Sequence, residues 1–241
     1  EPYGSDTLDL SQTDMDPGHV LLLSWWLTTE FSAAVARLTL SGNPITDYGI
    51  DLSGLKALCE VLPSLKNPIS LDLADCYFKV AEVNELAQAI DAGAALTSIN
   101  CLKNPIGEDG LATLVAAVKD SSVRSICGLT EDQTIADFSD MGLTPFDCQI
   151  LSAEFEFRGF IAAVARLSLS GNLITGSDRY VSSRTLDKDL SGVTALFDTL
   201  KTSSVTELGL VDCRLGPGSM AKLAEYLRET TAVVTSINCL H

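Results

Sequence analysis

The chain has 241 residues, 46% of them apolar, with a formal net charge of -16 and a pI near 4.3. The apolar share excludes a disordered chain, and the length allows one or two domains with a sizeable core. The acidic balance argues against a nucleic-acid or anionic-membrane surface, because both need clustered Lys and Arg; it favours a basic partner or plain solubility.

Leu8–Ser11 reads as a first strand. Pro17 suits the first turn of a helix, and the spacing predicts that helix over Val20–Leu38, with Leu23, Trp26, Leu27 and Phe31 facing inward and Trp25 outward. Residues 1–36 hold no Lys or Arg. The apolar run Val20–Leu27 is shorter than the roughly 20 residues of a membrane span, and it lacks the charged flank of a signal peptide. Leu38–Asn43 is the second strand with its turn, and Leu52–Leu62 the next helix. Ile69–Cys76 follows as a strand, with Val80–Ile90 as its helix and Gly93 as the helix stop. Leu96–Asn104 is the fourth strand and turn, Asp109–Lys119 its helix, and Val123–Leu129 a fifth strand.

The order then restarts. Ala33–Asn43 returns as Ala162–Asn172 with one change, Thr39 to Ser168, which marks an internal duplication. We expect two blocks, residues 1–130 and 131–241, in one continuous array joined by a tight turn at Thr130–Gln133. In the second block Thr134–Ser139, Leu167–Asn172, Val205–Cys213 and Val234–Leu240 read as strands, and Phe146 onward, Val193–Leu200 and Ala221–Leu227 as helices. The loop over residues 173–189 is longer than its first-block counterpart and carries Arg179, Tyr180 and Arg184; insertions in repeat arrays map to loops, often on a binding face. A tolerated surface insertion explains it equally well. The chain stops just after a strand, where the matching first-block stretch continues into a helix, so a C-terminal piece is expected to be missing.

Strand starts fall near residues 8, 38, 71 and 99, then 136, 167, 208 and 237. Each unit reads Leu-x-Leu, then a turn with Asn43, Asn104 or Asn172, or with Cys76 or Cys213, then a helix. In a strand the period of two aims both leucines inward, and one unit alone cannot bury them, so neighbours must stack. At the turn, Asn or Cys bonds backbone groups that burial would otherwise leave unpaired. This pattern resembles the leucine-rich-repeat superfamily, in its ribonuclease-inhibitor-like branch, over essentially residues 7–241. The resemblance implies an α/β solenoid, a horseshoe with parallel strands on the concave face and helices on the convex face. The junction Ser125–Ser139 also resembles a linker in leucine-rich-repeat proteins of single-celled algae, a family without an assigned activity.

Chemistry is sparse. The seven cysteines are odd in number and form no CxxC pair, and no Asn-x-Ser/Thr sequon occurs. That pattern points to a reducing compartment, the cytoplasm first, or an organelle after removal of a targeting segment. Five of the cysteines fall on turn (Cys76, Cys213), strand (Cys101, Cys239) or helix (Cys59) positions that suggest buried structural thiols. The histidines, His19 and His241, build neither a zinc site nor a triad, and no phosphate-binding glycine motif occurs. We therefore expect no cofactor, no metal and no enzyme. The leading expectation is a protein-interaction or scaffold protein whose partner carries a basic patch. Its contact residues would be the outward strand positions Asp9, Arg37, Thr39, Asp72, Asn100, Asp137, Arg166, Ser168 and Asn238, with Arg179, Tyr180 and Arg184 in the long loop. The alternative is a structural subunit lodged in a large assembly. A third reading comes from the resemblance, because the branch includes Ran GTPase-activating proteins; those use a loop arginine, here Arg179 or Arg184, with an acidic tract that this sequence does not show.

Overall fold

The computed structural model describes residues 4–157, 160–177 and 186–239. The chain divides into two compact units, Glu1–Gly128 and Leu129–His241, a boundary two residues before the one read from the sequence.

The first unit runs β1 (Thr7–Asp9), α1 (Pro17–Leu27), β2 (Arg37–Thr39), α2 (Ser53–Val61), β3 (Ile69–Asp72), α3 (Val80–Asp91), β4 (Leu96–Asn100) and α4 (Gly107–Lys119). The second runs β5 (Ile135–Asp137), α5 (Pro145–Phe157), β6 (Arg166–Ser168), α6 (Ser191–Leu200), β7 (Glu207–Gly209), α7 (Pro217–Glu229) and β8 (Ser236–Asn238). Each unit holds one four-stranded parallel sheet in sequential order, β1-β2-β3-β4 and β5-β6-β7-β8. Sequential parallel strands joined by right-handed crossovers place every helix on the same side of the sheet. Hence Leu38, Leu71, Ile99, Leu167 and Leu208 point at the helices and are buried, while the residues flanking them face outward.

Three expectations are corrected. The helix expected to reach Leu38 stops at Leu27, where Thr28 caps it; a short 3-10 turn, Glu30–Ser32, then leads into β2. Phe31 therefore leaves the inward stripe and stands 50% exposed, and Val20 takes the buried place with Leu23 and Leu27. The expected fifth strand at Val123–Leu129 does not form. Residues 124–128 do run along the free edge of β4, with the Arg124 amide donating to the Thr97 carbonyl at 2.8 Å and the Gly128 amide to the Ile99 carbonyl at 3.0 Å. Only the Asn100–Cys127 bridge has ladder geometry, and it is antiparallel. The segment thus covers a sheet edge that would otherwise invite pairing. Third, α7 is longer than the sequence suggested, because Pro217 fits its first turn and Gly216 caps it.

The turn after each strand follows one rule. The residue before the Asn or Cys position takes a left-handed backbone in seven repeats: Gln12, Gly42, Asp75, Lys103, Asp140, Gly171 and Asp212, with φ from 53° to 75°. At Gly42 and Gly171 the space is also closed, since a Cβ would stand 2.9 Å from the Gln12 side chain and 2.0 Å from Asp140 Oδ1.

The buried asparagines then tie one repeat to the one before it. The Asn43 carboxamide accepts the amides of Thr13 and Met15, at 2.9 and 3.0 Å, and donates to the Leu10 and Leu40 carbonyls at 2.8 Å. Asn104 does the same for Cys76 and Phe78, and Asn172 for Leu143. Cys76 and Cys213 donate their thiols to the Leu40 and Leu169 carbonyls, at 3.3 and 3.1 Å. Burial pushes these two thiols up to about 12 and about 11.

Candidate partner-binding face

The parallel register arranges the outward residues of each sheet in two rows. In the first unit Thr7, Arg37 and Ser70 align, with Ser98 next, and Asp9, Thr39, Asp72 and Asn100 form the second row. In the second unit the rows are Ile135, Arg166, Glu207 and Ser236, then Asp137, Ser168, Gly209 and Asn238. All nine strand residues singled out from the sequence fall in these rows. Ser70, Ser98 and Glu207 also belong to them and were not picked out. The same alternation that exposes Arg37 and Arg166 places all three there, so strand period alone carried the signal.

Local chemistry explains why the second row is rich in Asp and Asn. Asp9 accepts the Ser11 amide at 2.9 Å, Asp72 the Ala74 amide at 3.0 Å, Asn100 the Leu102 amide at 3.2 Å, and Asp137 the Ser139 amide at 3.0 Å. Each side chain closes a small ring two residues ahead, where the strand gives way to the turn. The carboxylates of Asp9, Asp72 and Asp137 are thereby committed in part to the turn that follows each strand. The Ser11 amide holds the Asp9 carboxyl below its ordinary value, and the Ser139 hydroxyl and amide do so for Asp137. Asp72 goes the other way: burial raises it, with the Asp9 charge adding to the effect, against the bonds from Ala74 and Asn100. Asn100 is itself buried, so it steadies Asp72 more than it offers contact surface.

On the second sheet Arg166 Nε donates to Glu207 Oε2 at 2.6 Å, which neutralises the guanidinium on the face. Beside this pair a shallow depression of about 230 Å³ is lined by Arg166, Ser168, Ser170, Glu207, Gly209 and Asn238 among others. Gly209 keeps its floor open, because a Cβ there would stand 2.7 Å from Ser168 Oγ. The serine hydroxyls are chained, with Ser139 and Ser168 at 2.7 Å and Ser168 and Ser170 at 3.3 Å. The first sheet carries a matching pair, Ser70 and Ser98, at 2.7 Å.

Arg179, Tyr180 and Arg184 lie outside the described residues. The closing end of their loop is fastened by Asp187, whose carboxylate accepts the amides of Gly216, Gly218 and Ser219 and the Ser219 hydroxyl, at 2.7 to 3.2 Å. Among the described residues no group of three or more His, Cys, Asp and Glu side chains could hold a metal ion, and no helix is long and apolar enough to cross a membrane.

No family model matches the chain. Two curated proteins share distant similarity with it. NACHT, LRR and PYD domains-containing protein 5 of Bos taurus is 30% identical over 125 residues, covering 52% of this chain. NACHT, LRR and PYD domains-containing protein 14 of Mus musculus is 27% identical over 184 residues, covering 74% of this chain. The chain spans only 10% and 17% of the lengths of these relatives. The likeness is of leucine-rich-repeat type and is compatible with a protein-interaction role.

Proposed function

We propose that the chain is a non-enzymatic protein-interaction module in which each unit is an arc of leucine-rich repeats and the strand face is the concave contact surface. The observation that carries this reading is the alignment of outward polar side chains in two register-matched rows on each sheet. Such rows present a broad array of short polar groups on a rigid backbone, which suits a protein surface better than a small molecule. The proposed partner carries a basic patch. The rows hold the carboxylates Asp9, Asp72, Asp137 and Glu207 against the guanidiniums Arg37 and Arg166, and Glu207 already neutralises Arg166. Rim charges of this kind act mainly on association rate and salt dependence.

The test is crosslinking capture of partners from the native source, followed by binding measurements with the captured protein. Asp9→Lys with Asp137→Lys should weaken association about tenfold or more, chiefly through the on-rate, and raising the salt should weaken the parent complex. A partner whose binding ignores both changes sinks the proposal.

A further inference from the structure

The first helix has two apolar sides. On α1, Val20, Leu23 and Leu27 face the core of the first unit and are buried. Leu21, Leu22 and Trp25 are 50%, 67% and 68% exposed. At 100° per residue these three form one stripe centred on Trp25 and lie opposite the buried side. The exposed Gly18 extends the stripe by one turn toward the N-terminus. A surface helix needs one apolar stripe to join its core, so the second is unexplained by folding of this unit.

The duplicated unit offers a direct comparison. Helix α5 begins at Pro145 as α1 begins at Pro17, so Ile150 and Ala153 stand where Leu22 and Trp25 stand. Ile150 and Ala153 are buried, at 0% and 9% exposed. The same two helix positions are therefore covered in one copy and bare in the other, and the bare copy carries the larger side chains.

Local charge decides what fits. Asp14 and Asp16 just before the helix and Glu30 just after it are exposed, and residues 1–36 contain no Lys or Arg. Asp16 also accepts the His19 amide at 2.9 Å, and that bond keeps its carboxyl below the ordinary value and charged at neutral pH. A second copy of the chain would bring the same carboxylates against each other, and an anionic membrane would meet the same repulsion. Helix α1 already packs side by side with α2, so its free side offers another helix the same kind of groove. We infer that the Leu21–Leu22–Trp25 stripe of α1 docks an amphipathic helix of another protein, with large apolar residues at three- and four-residue spacing and Lys or Arg along its flanks. This surface is separate from the strand face and would serve a second partner contact.

The probe is a synthetic amphipathic helix with Leu at i, i+3, i+4 and i+7 and Lys on both flanks, compared by fluorescence anisotropy with a peptide of identical apolar face flanked by Glu. The full chain should bind the Lys-flanked helix saturably, at least about tenfold more tightly than the Glu-flanked one. Leu22→Asp and Trp25→Ala should each weaken that binding by about tenfold or more. Both residues are exposed, so far-ultraviolet circular dichroism and melting temperature should stay at parental values and separate lost docking from lost folding. Four results would overturn the inference. These are no binding, equal binding of the two peptides, a concentration-dependent dimer of the chain that Leu22→Asp abolishes, and transfer of the chain to phosphatidylcholine vesicles that Leu22→Asp abolishes.

Discussion

At the scale of single residues, two carboxylates report opposite linkages to folding. Asp72 is raised by burial and by the Asp9 charge, so the native carboxyl holds its proton more tightly than the unfolded one. Its contribution to stability is fully present below the unfolded value of 3.8 and is lost as pH rises through the folded value. Asp72→Asn keeps an oxygen for the Ala74 amide and removes the charge. The variant should melt above the parent at pH 7, and the advantage should vanish below about pH 4. Asp187 behaves in reverse. Burial alone would push it up, but the Ser219 hydroxyl and the amides of Ser219, Gly216 and Gly218 outweigh burial and hold it low. Its contribution is present above the unfolded value and is lost as pH falls through the folded one, so Asp187→Asn should melt below the parent at pH 7, with the gap closing in acid. A thermal scan of both variants across pH 2.5 to 7.5 checks the two slopes, and parallel curves would refute both assignments. Asn104 illustrates a neutral side chain of larger consequence. It satisfies the buried amides of Cys76 and Phe78 and the carbonyl of Leu73. Asn104→Ala should cost about 3 kcal/mol in denaturant unfolding, because at least two buried backbone groups lose their partner. Cys76→Ala should cost less than half of that, since it frees only weak thiol bonds.

At the scale of elements, the repeats come in pairs. Asn43 and Asn104 are each followed by Pro and Ile, and in these turns the Ile45 and Ile106 amides bond back to the Asn43 and Asn104 carbonyls at 2.9 Å. Such a turn asks nothing of the next repeat for that amide, which is where Cys76 replaces Asn after the Asn43 turn. The turns at Asp14 and Tyr77 instead carry a second left-handed residue, and their amides must be met by Asn43 and Asn104 from the following repeat. Helix packing shows the same pairing. Gly54 of α2 lies so close to α1 that a Cβ would stand 2.3 Å from the Pro17 carbonyl oxygen, and at Gly192 of α6 a Cβ would stand 1.8 Å from that of Pro145. At Gly110 of α4 the nearest atom would be the Ile106 Cβ, at 3.1 Å. Helix propensity alone favours Ala over Gly by about 0.5–1 kcal/mol. Backbone overlap should overturn that preference, so Gly54→Ala and Gly192→Ala are each expected to lose about 2 kcal/mol or more, whereas Gly110→Ala should stay within about 1 kcal/mol of neutral. Urea unfolding of the three variants ranks them, and a stabilised Gly54→Ala would disprove the close approach. The alternation of Asn and Cys was legible in the sequence, as were the strand leucines. The stop of α1 at Leu27 was not, because the apolar pattern runs on through Phe31 while the chain turns. Nor was the missing strand at Val123–Leu129, whose apolar residues look like a strand but lie along β4 without its ladder.

At the scale of the whole molecule, the strand face was legible residue by residue, because a period of two decides which side chains point outward. Its acidity was harder to interpret, since Asp9, Asp72 and Asp137 each serve a turn as well as a surface. Asn100 stands in the expected row, but its burial was not legible, because its neighbours Gly128 and Cys127 cover it in a way no local pattern encodes. Net charge separates the structural and functional roles of these carboxylates. At -16 the chain repels itself when compact, and salt relieves that repulsion. Salt also weakens the ion pairs, of which, among the described residues, Lys201 has the densest set, with Asp198, Glu225 and Glu229 at 2.7, 3.5 and 2.8 Å. Hydrogen bonds and charge from Asp198 and Glu229 push the Lys201 amine up. Exposed pairs contribute about 0–1 kcal/mol each, and most of those here are half open to solvent, so the net repulsion should dominate. Raising NaCl from about 10 mM to about 500 mM shortens the screening length from roughly 30 Å to below about 10 Å. The expected result is a melting temperature higher by about 3 °C, corresponding to about 1 kcal/mol. The proposed association with a basic partner responds in the opposite sense, because the same screening weakens attraction across the interface. Calorimetric melting and partner titration over one salt series therefore give two curves of opposite slope. If stability falls with salt, the ion pairs outweigh the net charge; if binding strengthens with salt, the acidic strand face is not what the partner reads.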